Sequence, residues 1–380
     1  MSRAPIGYFV HHQGRGHAER CAALVNALPS ARPVMVFCAR PEVLPALGAH
    51  VEVRLVPSLF ERRGDEAGGL DAVPHPETCH CAPLGWPAIA ETMAALATWF
   101  RDARPALMVV DVSAEIAQLA RLCSIPHVHV LQHGTRTDPG HRAAFDGAAG
   151  LLAPSPAVLA QSDWAPWTDR IHHAGGLGLR ALPPSRTTSR ERLGIAAAQE
   201  LVVAVSGGGG DGMAAAPLGV GARAMPGTRW VTLGEVRRDW HATEPANLRH
   251  LGWVEGAGDW IAAADLVVAS PGNTTVTEIL AAGVPFLAVP EWRYFDEQRR
   301  KAQALHEAGL AHALPMMPSS AEGWRAAASA ARAAHDAGRM RAAIDPHAAR
   351  KAAAWLDALA DAMTGQRPGD RTEPLALAGE

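Results

Sequence analysis

The sequence predicts an α/β protein built from two doubly wound, parallel-sheet (Rossmann-like) domains. Three observations carry this. Short apolar runs of strand length alternate with segments of helical period along most of the chain, the order expected of a parallel sheet with helical crossovers. At 380 residues the chain is long enough for two sizeable cores. A Gly-, Pro- and Ser-rich stretch near residues 176–190 divides it, and a fresh strand-turn pattern starts beyond. The divisions read as a first domain over 1–176, a linker over 177–195, a second domain over 196–345, an amphipathic helix over 346–363 and a tail over 364–380 that reads as disordered.

In the first domain, residues 6–10 read as a strand. His11-His12-Gln13-Gly14-Arg15-Gly16-His17 is a glycine-containing turn, and residues 18–28 are helical with Cys21, Leu24, Val25 and Leu28 as the apolar stripe. Strands follow at 34–38 and 51–56. Residues 58–86 are rich in Gly, Pro and charge without a period, and a loop this long in a compact domain is usually functional or disordered. A helix over 86–100 carries Ile89, Met93, Leu96 and Phe100 on one side. The strand at 107–110 ends at Asp111, which could also serve as a helix N-cap. A helix over 115–123, a strand over 127–131, the loop Gln132-His133-Gly134 and a short strand at 151–153 complete this half.

The second domain opens with a strand over 201–205 and the glycine loop 206–212. Strands at 230–233 and 248–254 and a short helix over 259–263 follow. Residues 264–309 are the most informative stretch. The apolar run Leu266-Val267-Val268-Ala269 breaks at Ser270-Pro271-Gly272-Asn273. A helix then opens at Thr274 and Thr275, with Val276, Ile279 and Leu280 on one face. Gly283-Val284-Pro285 stops it, and Phe286-Leu287-Ala288-Val289 is a buried strand. This strand-turn-helix places a helix N-terminus, with unpaired N–H groups and a positive dipole end, where an anion can bind. Glu278 lies one turn inside that helix, within reach of a sugar diol, and Asp296-Glu297-Gln298 follows the next strand. Together these describe a nucleotide-sugar site.

This stretch resembles the donor-binding half of GT-B glycosyltransferases, in particular the peptidoglycan UDP-N-acetylglucosaminyltransferases and the UDP-glycosyltransferases. Ser270, Gly272, Thr275, Glu278, Gly283, Pro285, Gln298 and Ala302 match the first family's pattern, whereas Lys301 stands where that family has Asn. The histidine that the second family carries near Ser270 is absent, which leaves phosphate contact to backbone, Ser270, Asn273 and Thr274. The resemblance implies two Rossmann-like domains facing across a cleft, with the final helix crossing back to the first domain. It also implies a backbone contact from Val254 to the nucleobase.

Glycosyl transfer needs a stabilised diphosphate, a base for the acceptor hydroxyl and in-line alignment. The diphosphate would sit between Gly272–Thr275 and the loop Ser206, Gly207, Gly208, Gly209, where glycines allow close approach and an anion nest. Helix dipole and N–H donors neutralise it, so no metal and no cofactor is expected. Gly207, Gly209 and Gly212 formally spell a dinucleotide fingerprint, but Pro217 is expected to interrupt the helix that should follow. His17, after a strand and at a helix start, is the expected base, since an imidazole titrates near pH ~6.5. Asp111 ends another strand of the same sheet and would orient it, a pairing the resemblance supports. His11 and His12 share the turn and compete for the role, and His133 has no assigned one. Asp296 and Gln298 would contact the sugar, and Trp253 is either core or site.

The expected function is inverting transfer of a sugar from a nucleotide diphospho-sugar, UDP-linked, to an acceptor hydroxyl. The alternatives are a nucleotide-sugar 2-epimerase or hydrolase on the same fold, and a non-catalytic nucleotide-sugar-binding protein. The 58–86 loop would lie on the acceptor side, and the 86–100 helix either holds a lipid-linked acceptor or packs as ordinary core. His75, Cys79, His80 and Cys81 invite a zinc reading but lack a second regularly spaced pair.

Net charge is −3, with nothing to attract nucleic acid. Five cysteines (Cys21, Cys38, Cys79, Cys81, Cys123) without regular spacing argue for a reducing, cytoplasmic setting rather than a disulfide framework. The N-terminus lacks a cleavable signal pattern, and no apolar run reaches the ~20 residues of a membrane-spanning helix. Peripheral membrane contact and oligomeric state stay open.

Overall fold

The computed structural model describes residues 3–12, 15–70, 72–208, 210, 212–238 and 243–365. Its N-terminal half is a seven-stranded sheet of β1 (Ile6–Phe9), β2 (Val34–Cys38), β3 (Val51–Leu55), β4 (Leu107–Asp111), β5 (His127–Val130), β6 (Gly150–Ala153) and β7 (Ile171–His173). The strands lie in the order β3-β2-β1-β4-β5-β6-β7, and every pairing is parallel. Its helices are α1 (Arg15–Asn26), α2 (Pro87–Ala103), α3 (Ala114–Leu122) and α4 (Pro139–Asp146). The central strands are buried along their whole length because helices cover both faces, so they read as continuous apolar runs instead of alternating ones.

After α5 (Arg186–Leu193) comes a six-stranded parallel sheet, in the order β12-β10-β8-β13-β14-β15. It contains β8 (Leu201–Val205), β10 (Arg229–Leu233), β12 (Leu248–His250), β13 (Leu266–Ala269), β14 (Phe286–Ala288) and β15 (His312–Ala313). The two-residue β9 (Met213–Ala214) and β11 (Val236–Arg237) pair on their own. The helices are α6 (Ala215–Ala224), α7 (Ala257–Ala263), α8 (Asn273–Ala282), α9 (Glu297–Glu307), α10 (Ala321–Ala333), α11 (Ala337–Ala342) and α12 (Ala348–Met363). The order of each sheet reverses beside its first strand, between β1 and β4 and between β8 and β13. Ligands of open α/β sheets bind outside the carboxyl ends of the strands at such a switch point.

Several expectations change. The strand expected over 248–254 ends at His250, so Val254 lies in the loop before α7. Pro217 does not interrupt a helix: it sits in the first turn of α6, where its missing N–H has no intrahelical partner to lose. The fingerprint reading weakens for another reason, since β9 intervenes between β8 and α6. α2 buries Ala88, Thr92, Leu96, Trp99 and Phe100 against the sheet and presents no large exposed apolar residue, which fits ordinary core packing. The last turn of α12 runs into Thr364 and Gly365, and the rest of the tail lies outside the described residues.

α12 packs on the N-terminal half. Ala352, Ala353, Leu356 and Ala360 join the core formed by Ile6, Tyr8, Leu24 and Val36. The fully buried Arg32 donates to Asp357 at 2.8 Å and also to Asp361, while Arg3 donates to Asp361 at 2.6 Å. No helix among the described residues is long and apolar enough to cross a membrane.

Candidate active site

β1 and β4 are neighbours in register, Phe9 opposite Val110, so the chain leaving each strand emerges at one edge. α1 starts at Arg15 and carries His17 in its first turn; Asp111 closes β4. His17 Nδ1 lies 2.8 Å from Asp111 Oδ2. Arg20, one turn further along α1, donates from Nη2 to Asp111 Oδ1 at 2.6 Å. Arg20 Nη2 also approaches His17 Nδ1 at 2.9 Å. A charged carboxylate would repel an unprotonated Nδ1, so Nδ1–H donates to Asp111, and the Arg20 approach is a close contact, not a hydrogen bond. Nε2 is then left with its lone pair, the atom a general base needs.

Asp111 is 0 % exposed. Burial pushes its carboxyl pKa up, but Arg20 and His17 outweigh this and hold it well below the usual carboxylate range. It does not cap a helix: Ser113 caps α3, accepting from the Ile116 N–H. Val112, between them, is held at φ 79°, an unfavourable conformation for a β-branched residue that turns the chain sharply behind the carboxylate. His12 is buried with Nε2 3.3 Å from Glu61. His11 stacks on Phe60, and burial with the nearby His17 pushes its pKa down to about 3. His133 is buried, donates Nε2–H to the Leu159 carbonyl at 2.8 Å and is pushed down to about 3 by burial. It is a structural histidine.

The C-terminal half presents the N-terminus of α8 to this group. Gly272 is its N-cap residue and supplies no side-chain cap, so the first turn relies on other partners. A methyl group on Gly16 would lie 3.3 Å from Thr274 Oγ1, which brings the starts of α1 and α8 face to face. Register sets Ser206, following Val205, beside Ser270, following Ala269. Both serines are buried, and Ser206 Oγ has no hydrogen-bond partner among the described residues. Gly207 opens to free space, whereas a Cβ on Gly208 would press on the Trp253 ring at 3.0 Å. Neither holds a left-handed backbone; Gly212 does, at φ 83°. Gly209 lies outside the described residues. Trp253 is 61 % exposed, so it is not core, and Val254 beside it is half-buried.

Glu278 is half-buried on α8. Burial raises its pKa, Arg180 opposes that, and Glu19 of α1 adds to it. Arg180 bridges to Glu19 with both nitrogens of its fork. Gln298 is buried and accepts from the Glu291 N–H at 2.7 Å. Asp296 is exposed, 3.7 Å from Arg299. The turn before α9 holds Phe295 and Asp296 at φ 61° and 55°. Phe295 is clasped by the N-terminal half: its carbonyl accepts from the Thr135 N–H at 2.7 Å and Arg136 covers its ring at 4.5 Å.

Arg20 escaped the sequence reading, and Lys301 entered it only as a departure from the family pattern. Arg20 is signalled only by its i+3 spacing from His17. Lys301 is 2 % exposed on the same face of α9 as Gln298, and its Nζ donates to Asn273 Oδ1 in the first turn of α8. Burial pushes its pKa down to about 8. Among the described residues His75, Cys79, His80 and Cys81 do not come together as a ligand set. His75 Nε2 accepts from the Ala82 N–H. Among the described residues the one group with metal-ligand spacing is His80, Asp138 and His141, and there His141 is occupied by Asp138 and by Arg136 at 3.3 Å.

Residues 234–322 match the model of the glycosyltransferase family 28 C-terminal domain. No curated protein matches the chain. Among solved structures it is similar to MurG of Acinetobacter baumannii, with 16% identity, 93% of this chain and 99% of that one covered, and a TM-score of 0.63. It is also similar to the spinosyn forosaminyltransferase SpnP, at 16% identity, 94% and 100% coverage and a TM-score of 0.65. A third is UGT89C1 of Arabidopsis thaliana, solved with UDP, at 18% identity, 95% and 99% coverage and a TM-score of 0.59. The chain has the GT-B fold of these glycosyltransferases over nearly its whole length.

Proposed function

We propose that the protein is an inverting glycosyltransferase that moves a sugar from a nucleotide diphospho-sugar, UDP-linked, to an acceptor hydroxyl. One observation carries the reading: the His17–Asp111 couple at the switch point of one sheet faces the uncapped start of α8 at the switch point of the other. In this reading the α8 tip, Ser206, Gly207, Gly208 and Ser270 hold the diphosphate, with Asn273, Thr274 and Thr275 in its first turn. Glu278 holds the ribose, Val254 the base and Gln298 the sugar. Asp296, exposed beside Arg299, joins Gln298 at the sugar.

The acceptor O–H proton passes to His17 Nε2 as the acceptor oxygen bonds to the anomeric carbon. The bond from that carbon to the diphosphate oxygen breaks on the opposite face, and UDP leaves with the electron pair. Asp111 keeps the tautomer and stabilises the imidazolium that forms.

The test is thermal stabilisation by UDP, dTDP, GDP and UDP-sugars in EDTA, followed by product analysis. UDP should raise the melting temperature by mass action, and one UDP-sugar should raise it further. His17→Ala should keep that shift and lose transfer. No shift with any nucleotide, with or without Mg²⁺ or Mn²⁺, overturns the reading. Full turnover of donor alone would instead indicate the epimerase or hydrolase alternative.

A further inference from the structure

Among the described residues the buried cation on α9, Lys301, touches no carboxylate; its partner is the neutral amide oxygen of Asn273. Glu297, at the start of its own helix, pairs with Arg136 at 3.5 Å, and Arg20 is matched by Asp111. Facing Lys301 electrostatically are Glu297 on α9, Arg20 on α1 and His133 after β5. A buried ammonium left without an anion is costly unless a ligand brings one. Among the described residues two more buried polar atoms lack partners: Arg20 Nε, and Ser206 Oγ at the strand end beside Ser270.

We propose that Lys301, set between the first turn of α8 and Arg20, is the counter-charge that grips the donor's diphosphate and neutralises it as the sugar departs. This rests on the function proposed above and adds a residue to it. A compact ammonium suits the task, acting on phosphate as a point charge.

The experiment is calorimetric titration of wild type and Lys301→Met with UDP, inorganic pyrophosphate and uridine. Lys301→Met should weaken UDP and pyrophosphate by about 10- to 100-fold, the range for a charge-assisted hydrogen bond, and leave uridine unchanged. UDP binding unaltered by the substitution overturns the role of Lys301 and leaves the glycosyltransferase reading standing. Wild type that binds neither UDP nor pyrophosphate overturns both.

Discussion

Asp111→Asn tests the centre of the site. Asp111 is wholly buried and neutralises Arg20 at 2.6 Å while orienting His17 at 2.8 Å. The amide is isosteric but uncharged, so the substitution strands a guanidinium that is itself buried and has one nitrogen unpartnered. Breaking one side of a buried pair costs about 3–5 kcal/mol, most of it the penalty of the charge left behind. Urea unfolding with linear extrapolation would read this loss directly. Replacing both groups, Asp111→Asn with Arg20→Met, should recover at least half of it, because the stranded charge is then gone. The acid limb follows too. Asp111 titrates below its unfolded value of ~3.9, so its stabilisation is complete above that pH and lost as pH falls through the folded value. The variant should therefore show a shallower loss of stability in acid. Transfer should fall steeply, since His17 loses the acceptor that fixes its tautomer. A cost below about 1 kcal/mol, or a double variant no more stable than the sum of the singles, would refute the argument.

Three further outcomes are expected. Glu278→Gln should stabilise the free protein at neutral pH, because burial raises the carboxyl pKa and its charged form costs stability as pH rises through that value; UDP should bind the variant more weakly, read by thermal shift. Asp357→Asn with Asp361→Asn should destabilise by about 3–5 kcal/mol in urea by leaving the buried Arg32 unpaired, with a smaller loss if Arg32→Met is added. Gly134→Ala should destabilise by about 1–3 kcal/mol, since its φ of 121° strains any side chain and the new methyl would meet the Phe295 carbonyl at 2.7 Å; wild-type melting would count against that.

Much of this was legible in the chain because it is local. The strand 266–269, its turn and the helix stopped at Gly283 are written in periodicity and turn residues, and the structure places them at β13 and α8, with Gly283 at φ 64° closing the helix. His17 and Asp111 could be proposed as partners because each follows a parallel strand, and such strand ends meet at one edge. Other points were not local. Whether Asp111 caps α3 depended on Ser113 being better placed, which turns on the φ of Val112. Asp296 looked like Gln298 in a polar cluster, yet the left-handed turn at Phe295 exposes one while α9 buries the other.

Short-range pattern and backbone chemistry suffice for the two α/β layers, the switch-point turns and the helix end suited to an anion. Tertiary structure alone decided which charges meet. Arg20 is an ordinary helix residue until β4 brings Asp111 beneath it. Lys301 is, by type, one more charged residue after Arg299 and Arg300 until α9 turns it inward against α8. The physical reason is that a side chain's charge is fixed by its type, whereas its burial and its partners are fixed by packing between segments distant in the chain.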